Sequence, residues 1–327
     1  MIVAGIDEAG YGPLLGPLVV GCCAYRVRTE AVIENDRRVP PCLWKQLRKQ
    51  LRKTRSKNGR TLHVNDSKIV YTGGRLDELE RAILAIATAG GWAAENFDEF
   101  VAHVAPDVCE QLAGYPWYHP SAAERFPIEN ESASVGVHSN ALKVECDRTA
   151  THCVHLAARV VPEGEFNHMV NATQNKASAL FSLAAIHLDT LLRRFGEEEL
   201  VIFCDRQGGR MRYGQLLRLM FEQWGLEILI ENDEGRSDYI LRRGNHWVNV
   251  TFVEKAEARC LSVAVASMLS KYLREGLMRR FNAYWVSHLP ELTPTAGYYG
   301  DGARFLRDIE GKARELGVPS ERLVRCR

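Results

Sequence analysis

The first twenty residues constrain the fold of this chain more than any other stretch. An apolar run, MIVAGI, leads directly into two adjacent carboxylates, Asp7 and Glu8, and glycines and prolines follow at positions 10–17. Apolar residues bounded by glycine and proline indicate a buried strand that ends abruptly. Carboxylates at the edge of a core lose hydration and need a cation or hydrogen bonds as partners. The alternative is a strand end carrying two solvated acids, so the choice depends on residues downstream.

Length and composition favour a globular protein. The chain has 327 residues, of which 46% are hydrophobic and 25% charged, which allows one large domain or two modest ones. It contains no run of about 18 apolar residues, so we expect no membrane span. The early acids Asp7 and Glu8 also argue against a signal peptide.

Cysteine usage predicts a cytoplasmic protein. The nine cysteines are odd in number and show no C-x-x-C spacing, which is typical of reduced thiols. A zinc site is disfavoured because the spacing of its candidate ligands fits no finger or ribbon. Those candidates are Cys146, His152, Cys153 and His155.

Positive charge is concentrated in one segment. The net charge is only +1, but residues 37–60 hold ten basic residues and no acidic one. A basic segment on an otherwise acidic body suits contact with a nucleic-acid backbone. A solvated insertion without a partner is the alternative.

Hydrophobic periodicity predicts alternating strands and helices. After the opening strand we expect a second, antiparallel strand over 18–25, a basic helix over 43–53, a helix over 76–88 and a strand over 92–97. Residues 98–150 are predicted to be a largely irregular insertion, because they are rich in proline and aromatic residues. The later elements are a helix over 171–195, a strand over 200–205, strands near 227–231, 239–242 and 248–253, a helix over 259–282, and short helices from Ala303 and after Pro319.

Four acids fall at predicted strand or helix ends, and they suggest a metal site: Asp7, Glu8, Asp205 and Glu257. Carboxylates without a histidine suit Mg²⁺ or Mn²⁺. Two such ions can activate water and stabilise a leaving oxygen in phosphodiester cleavage. A dinucleotide-binding loop is disfavoured, because Leu15 occupies the position of the third glycine and the acids would repel a pyrophosphate.

Five motifs, in order and in approximate spacing, resemble the ribonuclease HII family (type 2 ribonuclease H). Residues 5–17, GIDEAGYGPLLGP, resemble its opening signature, with Tyr11 where the family usually has arginine. The fourth motif carries Glu257 in place of the usual aspartate. The other matching segments are Asn65–Lys68, Val201–Asp205, Lys255–Glu257 with 266–271, and Gly297–Tyr298.

The resemblance implies an α/β fold with a ribonuclease H-like mixed sheet flanked by helices. It implies a catalytic domain over 1–285, with a basic insertion at about 37–60 and the irregular insertion at about 98–150. A small helical region over 286–327 would complete the chain.

The resemblance also implies an endoribonuclease that hydrolyses RNA hybridised to DNA or embedded in duplex DNA, with two Mg²⁺ or Mn²⁺ ions. The metal ligands would be the four acids named above. Lys68 would lie near the phosphate, Gly10 and Gly12 would offer backbone groups to a 2′-hydroxyl, and Tyr298, or equally Tyr299, would stack on the substrate. Tyr11 would adjoin the substrate without the arginine's charge, which the basic segment 37–60 could replace.

Two other functions remain open at this stage. One is a ribonuclease H-like nuclease for another nucleic acid, such as a DNA junction. The other is a non-catalytic nucleic-acid-binding module, which is disfavoured because such a module gains nothing from four repelling acids. We expect a monomer with a nucleic-acid partner and no membrane partner.

Overall fold

A computed structural model of the protein describes residues 1–326. The strands are β1 (Ile2–Ala9), β2 (Leu18–Val27), β3 (Val32–Glu34), β4 (Arg37–Val39), β5 (Leu51–Arg52), β6 (Leu62–His63), β7 (Thr151–Val161), β8 (Leu200–Asp205), β9 (Gly225–Asp233), β10 (Arg236–Arg243) and β11 (His246–Val253).

The α-helices are α1 (Leu43–Gln46), α2 (Ser67–Val70), α3 (Asp77–Ala89), α4 (Phe97–Val104), α5 (Cys109–Ala113), α6 (Ser132–Thr149), α7 (Glu163–Thr173), α8 (Lys176–Phe195), α9 (Gly214–Met220), α10 (Ala256–Arg259), α11 (Leu261–His288), α12 (Tyr299–Glu315) and α13 (Ser320–Leu323). Short 3₁₀ helices cover Pro106–Val108 and Pro116–Tyr118.

Seven strands form one mixed sheet in the order β7-β2-β1-β8-β11-β10-β9. The three central strands, β1, β8 and β11, are parallel to one another, and the outer neighbours pair antiparallel. Helices cover both faces of this sheet. The predicted fold class, a mixed α/β sheet flanked by helices, is therefore confirmed.

Alternating side chains of β1 enter two different cores, as the period of two in a strand requires. Val3 packs in a core with α3, α6 and α11. Ile2, Ala4 and Ile6 pack in a second core with α7, α8 and α9. The opening strand is buried on both faces, which is why its sequence is almost continuously apolar.

Helix α11 lies unusually close to β1. Ser262 donates a hydrogen bond to the carbonyl oxygen of Val3 at 2.8 Å. A Cβ atom on Gly5 would lie only 2.2 Å from the backbone nitrogen of Val263. Glycine in the middle of β1 therefore permits the contact between strand and helix.

The predicted helix over 43–53 is wrong beyond its first turn. Residues 43–46 are helical, but Leu51 and Arg52 form a short parallel pair with Leu62 and His63. The leucines at 43, 47 and 51 are all buried. Their spacing therefore identified buried residues correctly, but the same spacing also suits one helical turn followed by a strand.

The basic segment 37–60 is not a single free insertion. Arg37 forms an ion pair with Asp238 at 2.8 Å, and the Arg38 guanidinium lies 3.9 Å from the ring centroid of Trp247. Residues 37–52 are therefore attached to the sheet and the core, and residues 53–60 form the exposed basic loop.

Residues 98–150 are mostly helical rather than irregular, with residues 119–131 as the longest non-helical part. Pro106 and Pro116 each stand in the first turn of a 3₁₀ helix, where a missing N–H costs nothing. The aromatic residues of the segment are core residues, and Trp117 stacks on Trp285 of α11 at 6.5 Å. The predicted strand over 92–97 is also wrong, since 97 begins α4.

Two further boundaries differ from the sequence prediction. The helix expected over 171–195 is two helices, because Gln174 adopts a positive φ of 50° and the Asn175 side chain caps α8. Strand β7, at the sheet edge, was not predicted. The domain boundary at residue 285 stays a prediction, and α11 continues through it to His288.

No helix within residues 1–326 is both long enough and apolar enough to cross a bilayer.

We predict that Gly5→Ala destabilises the protein by about 1–3 kcal/mol or more, because the added methyl would overlap backbone atoms that cannot move independently. Urea unfolding measures the change. Gly136→Ala in α6 is the matched control, since nothing lies within 4 Å of its Cβ position; it is expected to stabilise by about 0.5–1 kcal/mol. Equal stability of the Gly5→Ala variant and the native protein would contradict the close contact.

Candidate active site

The candidate site lies where the three central parallel strands end. Ile6 of β1 is level with Cys204 of β8, so Asp7 and Asp205 follow side by side. Residues in register on parallel strands point to the same face, so both side chains leave the sheet on the side of α11. Asp205 is also paired with Val253, the last residue of β11.

A tight turn after β11 brings the fourth acid to this edge. Lys255 adopts a positive φ of 53°, and α10 begins immediately afterwards. The backbone N–H of Ala256 donates to Asp205 Oδ1 at 3.0 Å. Glu257, in the first turn of α10, is thereby placed next to Asp205, and a hydrogen bond between the two side chains partly offsets the rise that burial causes in the pKa of Asp205.

Serine side chains anchor Asp7. Its Oδ1 accepts the backbone N–H of Glu8 at 2.7 Å, and its carbonyl oxygen accepts Ser270 Oγ at 3.2 Å. Ser267 hydrogen-bonds the Asp7 carboxylate and lies 3.1 Å from Ser67, the neighbour of Lys68. The small residues of α11 thus connect β1 to the segment that carries Lys68.

Burial raises the pKa values of all four acids, and repulsion by neighbouring carboxylates adds to the rise at Asp7, Glu8 and Glu257. Burial, then the charge of Asp205, raises the pKa of Glu8 to about 8. Burial also raises the pKa of Glu257 to about 7, with further contributions from Asp205 and Asp66. For Asp7 the causes are burial, Glu8 and Asp205, and for Asp205 burial outweighs its hydrogen bonds. Fully ionised, the group would carry more negative charge than its surroundings balance, so the protein alone favours protonation of these acids.

Lys68 is the cation facing these acids. Burial lowers its pKa, but Asp66, Asp7, Glu257 and Asp205 together raise it above the ordinary value. The backbone N–H of Lys68 donates to Asp66 Oδ1 at 2.8 Å, which starts the short helix α2. The sequence-predicted residue Lys68 is therefore at the site.

The glycine loop, residues 10–17, adjoins the acids. Gly10 has a φ of +87°, and a Cβ there would lie 2.6 Å from the Pro17 carbonyl oxygen and 2.7 Å from Arg274 Cδ. Gly12 is exposed. The Tyr11 ring lies between the turn at Gly208, whose Cβ position is 3.5 Å away, and Lys176, whose Nζ is 4.9 Å from the ring centroid.

Tyr298 is held against the same loop. The carbonyl oxygen of Gly297 accepts the N–H groups of Leu14 and Leu15 at 2.8 and 3.1 Å. The Arg274 guanidinium lies 5.8 Å from the Tyr298 ring centroid. Tyr298 and Tyr299 are both more than half exposed, so both rings are accessible, and the choice between them stays a prediction.

Sequence reasoning missed the buried residues that hold the glycine loop. Arg274 donates to the carbonyl oxygens of Leu15 and Ala296 at 3.3 and 3.0 Å. Glu163 accepts the N–H of Gly16 at 3.1 Å and the Tyr118 hydroxyl at 2.8 Å, and Arg325 donates to the carbonyls of Gly10 and Tyr11. Charged residues inside otherwise apolar helical patterns were the available signal, but the loop they bind is not apparent from the sequence.

The donor set fits hard divalent cations in its chemistry. It offers carboxylate oxygens alone, and Glu257 Oε2 is buried without a hydrogen-bond partner. Among residues 1–326, however, no three histidine, cysteine, aspartate or glutamate side chains form a ready-made metal cage. The four acids interact with one another electrostatically, but their side chains would have to rearrange to coordinate an ion.

Comparisons with known proteins give structural similarity only. No protein-family model and no curated protein sequence matches the chain. It is similar to the ribonuclease HII in the PCNA:RNase HII complex from Archaeoglobus fulgidus, with 14% identity, a TM-score of 0.44, and coverage of 100% of this chain and 95% of that one.

The chain is also similar to ribonuclease H2 from Pyrococcus horikoshii OT3, with 16% identity, a TM-score of 0.42, and coverage of 99% of this chain and 92% of the other. It is similar as well to Bst-RNase HIII in complex with Mn²⁺, with 14% identity, a TM-score of 0.40, and coverage of 99% of this chain and 66% of the other. At these identities and TM-scores, the similarities are not evidence of a shared activity.

Proposed function

We propose that the protein is a metal-dependent endonuclease of the ribonuclease H type, acting on RNA–DNA hybrids or on ribonucleotides embedded in duplex DNA. The observation that carries the proposal is the gathering of Asp7, Glu8, Asp205 and Glu257 at the ends of β1 and β8 and just after β11, with raised pKa values. Such repulsion is costly unless cations offset it. The five sequence motifs that resemble ribonuclease HII support the same conclusion.

The four acids would hold Mg²⁺ or Mn²⁺, two ions in the proposed mechanism. When bound, such ions activate the attacking water and stabilise charge on the leaving oxygen. Glu257 is one methylene longer than aspartate and keeps a hard oxygen ligand. Lys68, opposite the acids, would bind a non-bridging oxygen of the phosphate and position it.

Selection of a ribonucleotide is assigned to the glycine loop. The backbone at Gly10 and Gly12 would bind the 2′-hydroxyl, the group that separates RNA from DNA. Tyr298 would stack on a neighbouring sugar or base. Tyr11 would lie beside the strand, with Lys176 supplying positive charge next to its ring.

The exposed basic loop 53–60 starts at the acidic site and would bind the nucleic-acid backbone. Lys53 Nζ donates to the carbonyl oxygen of Ala258 in α10 at 2.5 Å, one residue from Glu257. The Asn65 side chain donates to the Lys53 carbonyl oxygen at 2.9 Å. These contacts support a path for the phosphate backbone from the acids along this loop.

The substrate test uses duplexes that contain one ribonucleotide, RNA–DNA hybrids and all-DNA duplexes, each with Mg²⁺ or Mn²⁺. We predict cleavage at the ribonucleotide or in the RNA strand, and a loss of at least about 100-fold in rate for Asp205→Asn with binding retained. Asp189→Asn, at a half-buried position of α8 where the carboxylate pairs with Arg193, is the control and should cleave normally. Cleavage restricted to all-DNA substrates would favour a nuclease for DNA structures, and binding without cleavage would favour a non-catalytic module.

Metal-free stability is predicted to fall as the pH rises through about 8. The folded-state pKa of Glu8 is raised to about 8 from 4.5. Glu8 therefore contributes to folding stability fully below pH 4.5, and this contribution is lost as the pH rises through 8. Thermal unfolding in EDTA should show Glu8→Gln more stable than the native protein at pH 9, by at least about 1 kcal/mol or roughly 2–4 °C.

Mg²⁺ at pH 8 should raise the melting temperature of the native protein more than that of Glu8→Gln, since the variant has lost one carboxylate ligand. Identical pH profiles for the two proteins in EDTA would contradict the assignment of Glu8 to the repelling group.

Replacing Lys57 and Arg60 with alanine is predicted to weaken nucleic-acid binding and to reduce its salt dependence. Both residues are exposed in the basic loop, and each lost phosphate contact lowers the slope of log K against log salt by about 0.9. Lys143→Ala on the exposed side of α6 is the control for each single replacement, since each of the three changes removes one positive charge. An unchanged slope would identify the loop as a solvated insertion.

A further inference from the structure

The Asn167 side chain of α7 holds residues 320–326 beside the glycine loop through hydrogen bonds. Asn167 Nδ2 donates to the carbonyl oxygens of Glu321 and Val324 at 2.8 and 2.7 Å. Asn167 Oδ1 accepts the N–H of Cys326 at 2.6 Å. One amide group thus makes three backbone contacts, which fixes the course of the segment around Arg325.

The side chain of Arg325 extends from this segment into the protein interior and binds the glycine loop. The residue is 1% exposed. Its guanidinium donates one hydrogen bond to the Gly10 carbonyl oxygen and another to the Tyr11 carbonyl oxygen at 3.1 Å. Its backbone N–H donates to the Leu14 carbonyl oxygen at 2.9 Å.

Packing alone does not explain a cation at this position. Burying a charge is costly unless it is paired, and within residues 1–326 no carboxylate lies within ion-pair distance of Arg325. The compensation comes from the face of Phe166, 4.0 Å from the guanidinium carbon, from the two loop carbonyls and, at longer range, from the charge of Glu163. A long apolar side chain would fill the space without that cost, so the carbonyl contacts are the specific contribution of arginine.

Because a peptide bond is planar, the contacts that hold the two carbonyl oxygens also fix the direction of the N–H groups on the other side of the loop. The two peptides are trans, so the N–H of each points away from its carbonyl oxygen. Those N–H groups belong to Tyr11 and Gly12, and in the part of the chain that the structure describes neither donates to a protein acceptor. Arg325 therefore holds two peptides whose amide donors are free on the opposite side.

We propose that Arg325 is a positioning residue that orients the N–H groups of Tyr11 and Gly12 to bind one oxygen of the substrate. The identity of that oxygen rests on the proposed function, under which it belongs to the ribose 2′-hydroxyl. A cation on each carbonyl oxygen also polarises the peptide and strengthens its N–H as a donor. Arg325, through its contacts with Gly10 and Tyr11, is then part of the site that selects ribonucleotides.

The binding test compares Arg325→Met with Arg325→Lys and with a control in the same segment. Arg322→Met is that control, because Arg322 also donates to a carbonyl and lies over an aromatic ring, but its partners are Gly114 and Tyr115. In the Asp205→Asn background, affinities are measured for one duplex with a single ribonucleotide and for the same duplex entirely of DNA.

We expect Arg325→Met to reduce the preference for the ribonucleotide about tenfold, Arg325→Lys to reduce it less, and Arg322→Met to leave it unchanged. An unchanged preference in Arg325→Met, or an equal loss in Arg322→Met, would overturn the proposal. Should Arg325→Met fail to fold, Arg325→Lys and Asn167→Ala provide the same comparison, because each loosens the arginine contacts without removing a buried side chain of this size.

A second readout does not depend on the proposed substrate. Amide NMR order parameters of Tyr11 and Gly12 are measured without nucleic acid after selective ¹⁵N labelling. Arg325→Met should lower them from about 0.85 toward 0.6 or below, and Arg322→Met should not. Equal binding of both duplexes by the parent protein would refute ribonucleotide selection, while the order parameters would still decide whether Arg325 positions the loop.

Discussion

The parallel pairing of β1 with β8 is the constraint on which the acidic site depends. It places Asp7 beside Asp205 on one face of the sheet. A register shift of one residue would turn the two side chains to opposite faces. The register is fixed far from the acids, by the apolar residues of β1 in two cores and by the close approach of α11 at Gly5. Burial of apolar surface therefore holds together charges that repel one another.

The site has two electrostatic halves. Asp7, Glu8, Asp205 and Glu257 form a negative half whose nearest cation is Lys68. The glycine loop lies in a positive half, between buried Arg274 and Arg325. A phosphodiester strand needs positive charge along its backbone, and divalent ions need carboxylates. The division thus suits simultaneous binding of strand and ions, with the peptide groups of the glycine loop at the boundary.

Local patterns were sufficient to predict the elements that carry the acids. The run before Asp7 and the strand ending at Asp205 were predicted within two residues of their observed ends, because each is apolar and ends at a sharp change in composition. Residues 98–150 were predicted poorly, since two of their four prolines start 3₁₀ helices and aromatic residues such as Trp117 are buried against α11. Whether Trp117 is a loop residue or a core residue depends on Trp285, 168 positions away, and no local pattern contains that information.

The environment of Tyr11 shows the same dependence on distant residues. A tyrosine where the resembled family has arginine suggests a loss of positive charge next to the substrate. The fold returns that charge from elsewhere, because Lys176 lies over the ring. Burial and Glu8 raise the pKa of the Tyr11 hydroxyl, and the positive charges of Arg210 and Arg325 partly offset that rise. Lys176 reaches this position because the chain turns at Gln174 and begins α8 immediately afterwards. The side chain at position 11 therefore does not determine the local charge by itself, because residues of α8, the loop after β8 and segment 320–326 also contribute to it.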